Sequence, residues 1–197
     1  MSEGGILKEE ILNTYEKASS RYGYNSNSLH KLGFEARKIE EAASKQILEV
    51  LNLHDYDVIY TSGNAESYTM LLDNAKGDVL TDNDVIMSIC KDKSIALVDR
   101  DNVSKKTFVS VIDEYFYDGK INHINIDLSK KYSDLNKYDF ITMEDEIPFF
   151  GVLLKKKNIE LNNLIHGGKS TTKYRSGTSV TPLIVSFSKL VKLKYNK

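Results

Sequence analysis

The sequence predicts an α/β fold, helices layered on a sheet, carried by a single domain over residues 1–197. Three observations lead there. Two long stretches near the start, 6–22 and 32–51, carry apolar residues at helical spacing. From residue 55 onward, short apolar runs of strand length alternate with further helical stretches. One of these runs, within DFITMEDEIPFFG at 139–151, leads straight into three acids and then a second apolar run, which puts charge at the strand end where α/β sheets usually bind ligands.

The elements follow in order. Ile6, Leu7, Ile11, Leu12, Tyr15 and Ala18 form the stripe of the first helix, which Gly23, Asn25, Ser26 and Asn27 end. In the second helix Leu32, Ala36, Ile39, Ala43, Ile47 and Val50 share one face, and Lys31, Glu35, Lys38, Glu41 and Lys45 the opposite, solvated one. Residues 55–61 read as turn and strand, with Val58, Ile59 and Tyr60 buried. Thr61-Ser62-Gly63 then turns the chain into a helix over 64–74, whose first turn holds Glu66, where the helix dipole favours an acid. Strands are expected at 85–89, 95–98, 108–112 and 121–126; the last alternates apolar and polar residues and reads as a half-exposed edge strand. Polar residues 127–138 lead into the strand of 139–143, the acids Glu144, Asp145 and Glu146, and a further strand through 152–154. HGGKSTTKYRSGT, 166–178, is a polar loop, and Thr181 as N-cap with Pro182 as first helical residue opens the last helix.

Composition narrows the function. With 27 basic against 28 acidic residues the net charge is -1, so no global field draws in nucleic acid or an anionic membrane. The run Lys155–Lys157 and the tail residues Lys189, Lys192, Lys194 and Lys197 read as local, solvated surface. A lone cysteine, Cys90, excludes an internal disulfide and fits a reducing compartment. MSEGGILKEE lacks the apolar run of a signal peptide, and no stretch approaches the length of a membrane span. The expectation is a soluble, cytoplasmic protein.

Several stretches could carry chemistry. YTSGNAES, 60–67, is a strand–turn–helix whose free N–H groups at Gly63, Asn64 and Ala65 could cradle an anion; a plain connecting turn gives the same pattern. Arg175 in the polar loop could hold a carboxylate or phosphate in a bidentate way, or simply tie the loop to a nearby acid. His30, His54, His123 and His166 show no ligand spacing with Cys90 or paired acids, so no zinc site is expected. Cys90 lies in the apolar run VIMSIC and reads as a buried, inert thiol. Glu144, Asp145 and Glu146 could form an acid/base pair, bind a hard divalent cation, or be a solvated turn.

Four segments, in order, resemble the cysteine desulfurases, a branch of the class V aminotransferases with the fold-type I pyridoxal-phosphate (PLP) architecture. NSNSLHKLGFEARKIEEA (25–42) is similar to the family's N-P-S-S-x-H-x-x-G-x-x-A-R, and YTSGNAES to its T-S-G-A-T-E-S turn. DFITMEDEIPFFGVLL (139–154) resembles the strand with the cofactor lysine, D-F-x-S-x-S-x-H-K then G-P-K-G-x-G, and LIHGGKSTTKYRSGT (164–178) resembles H-G-G-G-Q-E-x-G-x-R-S-G-T. The resemblance implies a three-layer sandwich, a compacted large domain with a mainly parallel or mixed sheet and helices on both faces, ending before the family's small C-terminal domain and its persulfide cysteine.

The departures from that pattern decide the expected function. The resemblance places Glu146 where the Schiff-base lysine belongs, Asp145 near the preceding histidine and Glu144 near a phosphate-holding serine. Ala65 stands for the phosphate-binding threonine, Asp84 falls near the ring-stacking histidine, aromatic residues replace the asparagines of V-N-N-E-x-G in Asp113–Gly119, and H-x-D-A-A-Q has no counterpart. Three carboxylates would crowd the place of a nearly dianionic phosphate, and like charges at 4 Å repel by roughly 1 kcal/mol in water and several at a partly buried site. Without the lysine no internal aldimine forms. The segment Arg175–Thr178 is intact, and in the family its threonine reaches the partner subunit's phosphate, which implies that Thr178 lies near a dimer interface. The reading is therefore a cysteine-desulfurase-like protein that has lost PLP binding and catalysis, a structural or interaction homodimer with at most a vestigial anion site at Gly63, Asn64, Ala65, Arg175 and Thr178. Two alternatives stand beside it: a metal- or carboxylate-dependent enzyme built on the three acids, and a regulatory partner of a full-length desulfurase.

Overall fold

The computed structural model describes residues 3–111, 114–143, 147–167 and 173–195. In chain order the elements are α1 (Glu3–Tyr22), α2 (Lys31–Val50), β1 (Tyr56–Thr61), α3 (Asn64–Asn74), β2 (Val79–Thr81), α4 (Asp84–Asp92), β3 (Phe108–Val111), β4 (Ile121–Ile126), β5 (Phe140–Met143), β6 (Gly151–Lys156) and α5 (Thr181–Tyr195). They fall into two compact units: Met1–His54 with Ile165–Lys197, and Asp55–Leu164. No helix among the described residues is long and apolar enough to cross a membrane.

The first unit is helical. His30 caps α2, its Nδ1 accepting the Gly33 N–H at 3.2 Å. The face that α2 buries is Gly33, Ala36, Glu40, Ala43 and Ile47. That is one residue away from the expected stripe at its start, where Leu32 stays 38% exposed, and it includes an acid. α5 packs against both α1 and α2 and is buried almost all round. Ser188 Oγ donates to the Ala43 carbonyl at 3.0 Å. Thr181 is not the N-cap: the Val180 carbonyl accepts the Leu183 and Ile184 N–H groups, while the Thr181 hydroxyl goes to Glu40.

The second unit is a six-stranded sheet in the order β1-β6-β5-β4-β3-β2. β2, β3, β4 and β5 are parallel neighbours, and β6 runs antiparallel to both β5 and β1. One edge therefore gathers the carboxyl ends of β1 to β5 and the start of β6. Phe108, Ser110, His123, Asn125, Phe140 and Thr142 share one face of β3–β5 by register; Val109, Val111, Ile124, Ile126, Ile141 and Met143 share the other, and all are buried. Fully buried strands of this kind read as near-continuous apolar runs.

Four expectations are corrected here. Residues 85–89 are helix α4, because the Asn83 side chain caps it by accepting the Val85 and Ile86 N–H groups at 3.0 and 3.1 Å, and a cap with Asp84 in the first turn outweighs the β-branched run. Residues 95–98 form no strand but an isolated parallel bridge of Leu97 with Val79, its hydrogen bonds made by the Ala96 carbonyl and the Val98 N–H; β2 itself the sequence reading missed. β4 is an inner strand between β3 and β5, its polar residues bonded across the sheet instead of solvated. Lys155 is fully buried: its Nζ donates to the Lys156 and Ile159 carbonyls, both at 2.7 Å, and faces Asp57 Oδ2 at 3.3 Å. A buried ammonium with this set of acceptors is satisfied, and the neighbouring Lys156 pairs with Asp139 at 3.6 Å.

Candidate functional site

The carboxyl edge of the sheet is where the sequence reading put its site, and the turn after β1 is its best-formed part. Gly63 has φ 148°, a conformation that L side chains avoid. A Cβ added at Gly151, the first residue of β6, would lie 2.7 Å from Gly63 Cα and 2.6 Å from Thr61 Oγ1. The two glycines thus let β6 start directly against the turn. Thr61 Oγ1 and Ser67 Oγ lie 2.9 Å apart and both reach the Gly63 carbonyl, fixing the turn to the first turn of α3. Gly63 and Asn64 are half-buried and Ala65 is exposed, so the turn leaves backbone N–H groups at the start of α3 near solvent. Its rim already holds a negative charge, because Glu66 Oε2 accepts the Ser62 N–H at 2.7 Å.

Behind this edge runs a polar chain that the sequence reading did not find. His123 is fully buried on β4; its Nδ1 lies 2.7 Å from Ser110 Oγ and its Nε2 lies 2.9 Å from Thr142 Oγ1. Thr142 Oγ1 in turn donates to Asn125 Oδ1 at 2.8 Å. Since the Thr142 proton is directed at Asn125, the threonine must accept from His123, which assigns the proton to Nε2 and leaves Nδ1 to accept from Ser110. The relay Ser110→His123→Thr142→Asn125 thus runs in one direction across three strands. Tyr68 of α3 meets the imidazole edge-on at 5.7 Å and Phe108 stacks at 6.4 Å. Burial pushes the His123 pKa down to about 3. A serine beside a histidine is the geometry of an activated nucleophile, but here both are buried and the imidazole is a weak base, so the pair holds the sheet together. The alternation INHINI was the available signal.

The remaining predicted residues divide as follows. Glu144, Asp145 and Glu146 lie outside the described residues, as does Asp113. Arg175 is half-buried and Thr178 exposed, in the helical unit, where Ser176 donates its N–H to the Ile165 carbonyl at 3.0 Å. Asp84 occupies the first turn of α4. Cys90 is buried, and burial raises its thiol pKa, as expected of an inert thiol. Among the described residues no three His, Cys, Asp or Glu side chains are grouped to hold a metal ion.

The edge geometry, with a predominantly parallel sheet and a glycine turn feeding a helix, is that of a fold built around a ligand crevice, and comparison with known proteins names the family. The sequence profile of aminotransferase class-V matches residues 6–115, more than half of the chain. The chain belongs to the class-V aminotransferase family. Within it the likeness is to the desulfurase type. A NifS/IcsS protein homolog of Lactobacillus delbrueckii subsp. bulgaricus is 38% identical over 61 residues, 31% of this chain and 16% of that protein. The mitosomal cysteine desulfurase of Trachipleistophora hominis is 32% identical over 57 residues, 29% of this chain and 13% of that protein. Among solved structures, a NifS-like protein superposes with a TM-score of 0.82 at 17% identity over 95% of this chain and 66% of its own length. The NifS-like protein of Rickettsia africae gives 0.81 at 16% over 95% and 65%, and DndA of Streptomyces lividans 0.77 at 15% over 95% and 69%. The chain therefore spans about two thirds of these structures, and its matched stretches are a small part of the curated relatives. The predicted α/β class and its likeness in fold to fold-type I PLP transferases are borne out.

Proposed function

We propose that this cysteine-desulfurase-like scaffold has given up PLP chemistry and works in the cytoplasm as a homodimeric structural or interaction protein. The observation that carries the reading is the make-up of the β5–β6 connection. Strand pairing fixes Met143 beside Ile126 and Gly151 beside Thr61, and the residues between them are EDEIPFF. An internal aldimine needs an amine there, and the connection supplies three carboxyls and none. Backbone donors at Asn64 and Ala65 would suit a phosphate, but the Glu66 carboxylate that accepts the Ser62 N–H opposes one. The residues present do not fit the cofactor. The dimer reading rests on the intact Arg175–Thr178 segment.

The test is an absorbance titration of the purified protein with PLP, followed by borohydride reduction and mass analysis. No protein-aldimine band and no stoichiometric reduced adduct on any lysine are expected; a saturable aldimine band with one reduced adduct on a single lysine would overturn the reading. Light scattering after size-exclusion chromatography tests the assembly separately, with a dimer mass expected and a monomer at micromolar concentration ruling the dimer out.

A further inference from the structure

The loop that enters β4 carries a reactive pair of its own. Asp118-Gly119 is the only Asp-Gly pair in the chain, and the chain has no Asn-Gly pair. The two residues form the tip of the turn Tyr117–Lys120, which the Lys120 N–H closes on the Tyr117 carbonyl at 3.2 Å. Both are exposed. Gly119 has φ 69°, and a Cβ built on it would meet nothing within 4 Å beyond its chain neighbours, so the tip stands clear. The Asp118 carboxyl folds over the next peptide, its Oδ1 accepting the Gly119 N–H at 3.0 Å. That contact makes the Gly119 nitrogen and the carboxyl carbon neighbours. The base of the turn, in contrast, is fixed. Asn122 is fully buried; its Oδ1 accepts the Tyr117 N–H at 3.0 Å, and its Nδ2 donates to the Tyr117 and Lys120 carbonyls at 2.9 and 3.0 Å. Its own N–H is held by Asp139 Oδ2 at 2.8 Å. One carboxamide thus clamps both ends of a turn of a single backbone length.

We propose that Asp118 is a site of spontaneous isomerisation to isoaspartate, and that the product unseats the Asn122 clamp at the entry to β4. In the first step the Gly119 nitrogen gives up its proton and bonds to Asp118 Cγ. The hydroxyl of the protonated carboxyl leaves, and proton and hydroxyl depart as water, which closes a succinimide ring. Water then opens the ring. Cleavage of the new N–Cγ bond returns aspartate. Cleavage of the bond between that nitrogen and the Asp118 main-chain carbonyl carbon gives isoaspartate, in which the chain runs through Cβ and Cγ. Water is the one co-reactant, and the mass of the chain does not change. Holding the two reacting groups together supplies part of the ordering that ring closure needs, and the missing side chain at Gly119 leaves the nitrogen open. The product has one more backbone carbon between Tyr117 and Lys120, so their carbonyls no longer meet Asn122 Nδ2 together.

The experiment ages the full chain for weeks at about pH 5 and reads residue 118 by electron-transfer fragmentation, which separates isoaspartate from aspartate at equal mass. Wild type is compared with Asp118→Glu, Asp118→Asn and a synthetic peptide of residues 107–120 as the unfolded reference. Isoaspartate should accumulate at 118 in the folded wild type at least as fast as in the peptide. D118E should lose the product, because its ring would need six atoms. D118N should reach the same product faster, expelling ammonia in place of water. Amide exchange at Tyr117 and Asn122 should quicken in aged wild type and stay unchanged in aged D118E. A folded chain that forms isoaspartate more slowly than the peptide, or not at all, would overturn the site, because the Asp118 hydrogen bond would then only cap the turn. Isoaspartate at 118 with unchanged exchange at Tyr117 and Asn122 would overturn the release of the clamp.

Discussion

Two buried polar clusters, one in each unit, answer the same physical problem in opposite ways. In the sheet unit, both ring nitrogens of His123 are matched in a relay of neutral groups. In the helical unit Glu40 has one oxygen matched and one not. A fully satisfied buried network rigidifies what it joins, whereas a half-satisfied one leaves a group whose protonation state matters. The pair also predicts opposite responses to pH. His123 stays neutral in the fold down to about pH 3, while an unfolded histidine titrates near 6.5, so its contribution is complete above about 6.5 and declines as pH falls toward 3. Glu40 declines in the other direction, with rising pH.

The largest effect should come from breaking the satisfied cluster. His123→Leu leaves the Ser110 hydroxyl without its acceptor and Thr142 without its donor, and should lower unfolding stability by about 2–4 kcal/mol in urea titrations. It should also flatten the fall in stability between pH 6.5 and pH 4; an unchanged slope would mean that other groups produce it. Lys155→Met comes next. It strips the donor from two carbonyls and the cation from Asp57, and since Asp57 is one-third exposed the expected loss is about 2 kcal/mol, read as a lower urea midpoint at an unchanged m value. Asn83→Ala removes the cap of α4 and should cost about 1 kcal/mol by the same measurement. The smallest effect has the opposite sign. Phe149 is 89% exposed with φ 58° in the turn Ile147–Phe150, where Pro148 precedes it and the Phe150 N–H reaches the Ile147 carbonyl at 3.2 Å. Asparagine tolerates that backbone far better than phenylalanine, so Phe149→Asn should raise stability by roughly 0.5 kcal/mol.

Much of this was legible beforehand, and the failures have a common cause. Apolar periodicity located α1, α2, α3, α5 and strands β1, β3, β4, β5 and β6, because those elements bury one residue type in a regular pattern. The turn that feeds α3 was legible from TSGN, whose glycine geometry is local. What escaped was decided by partners far along the chain. His123 and Asn125 look like solvent-facing residues until Ser110 and Thr142 are brought beside them. Glu40 looks like one more charge on a surface helix until Thr181, 141 positions later, closes over it. Lys155 reads as the start of a basic run until the pairing of β1 with β6 brings Asp57 beside it. α4 was lost for a different reason: its cap is local, but VIMSIC carries a β-branched signal strong enough to mask it.

Lys155 also turns an ordinary protein-chemistry reagent into a probe of this fold. An amine-reactive ester modifies only amines that reach water, and in the native chain this one does not, although Lys157, two residues on, is open to solvent. The two lysines give an internal ratio within one short peptide: Lys157 reports the dose of reagent, and Lys155 reports how often the ends of β1 and β6 part. Partial acylation at Lys155 under native conditions would measure the opening of that corner of the sheet directly, without a fluorophore or a substitution.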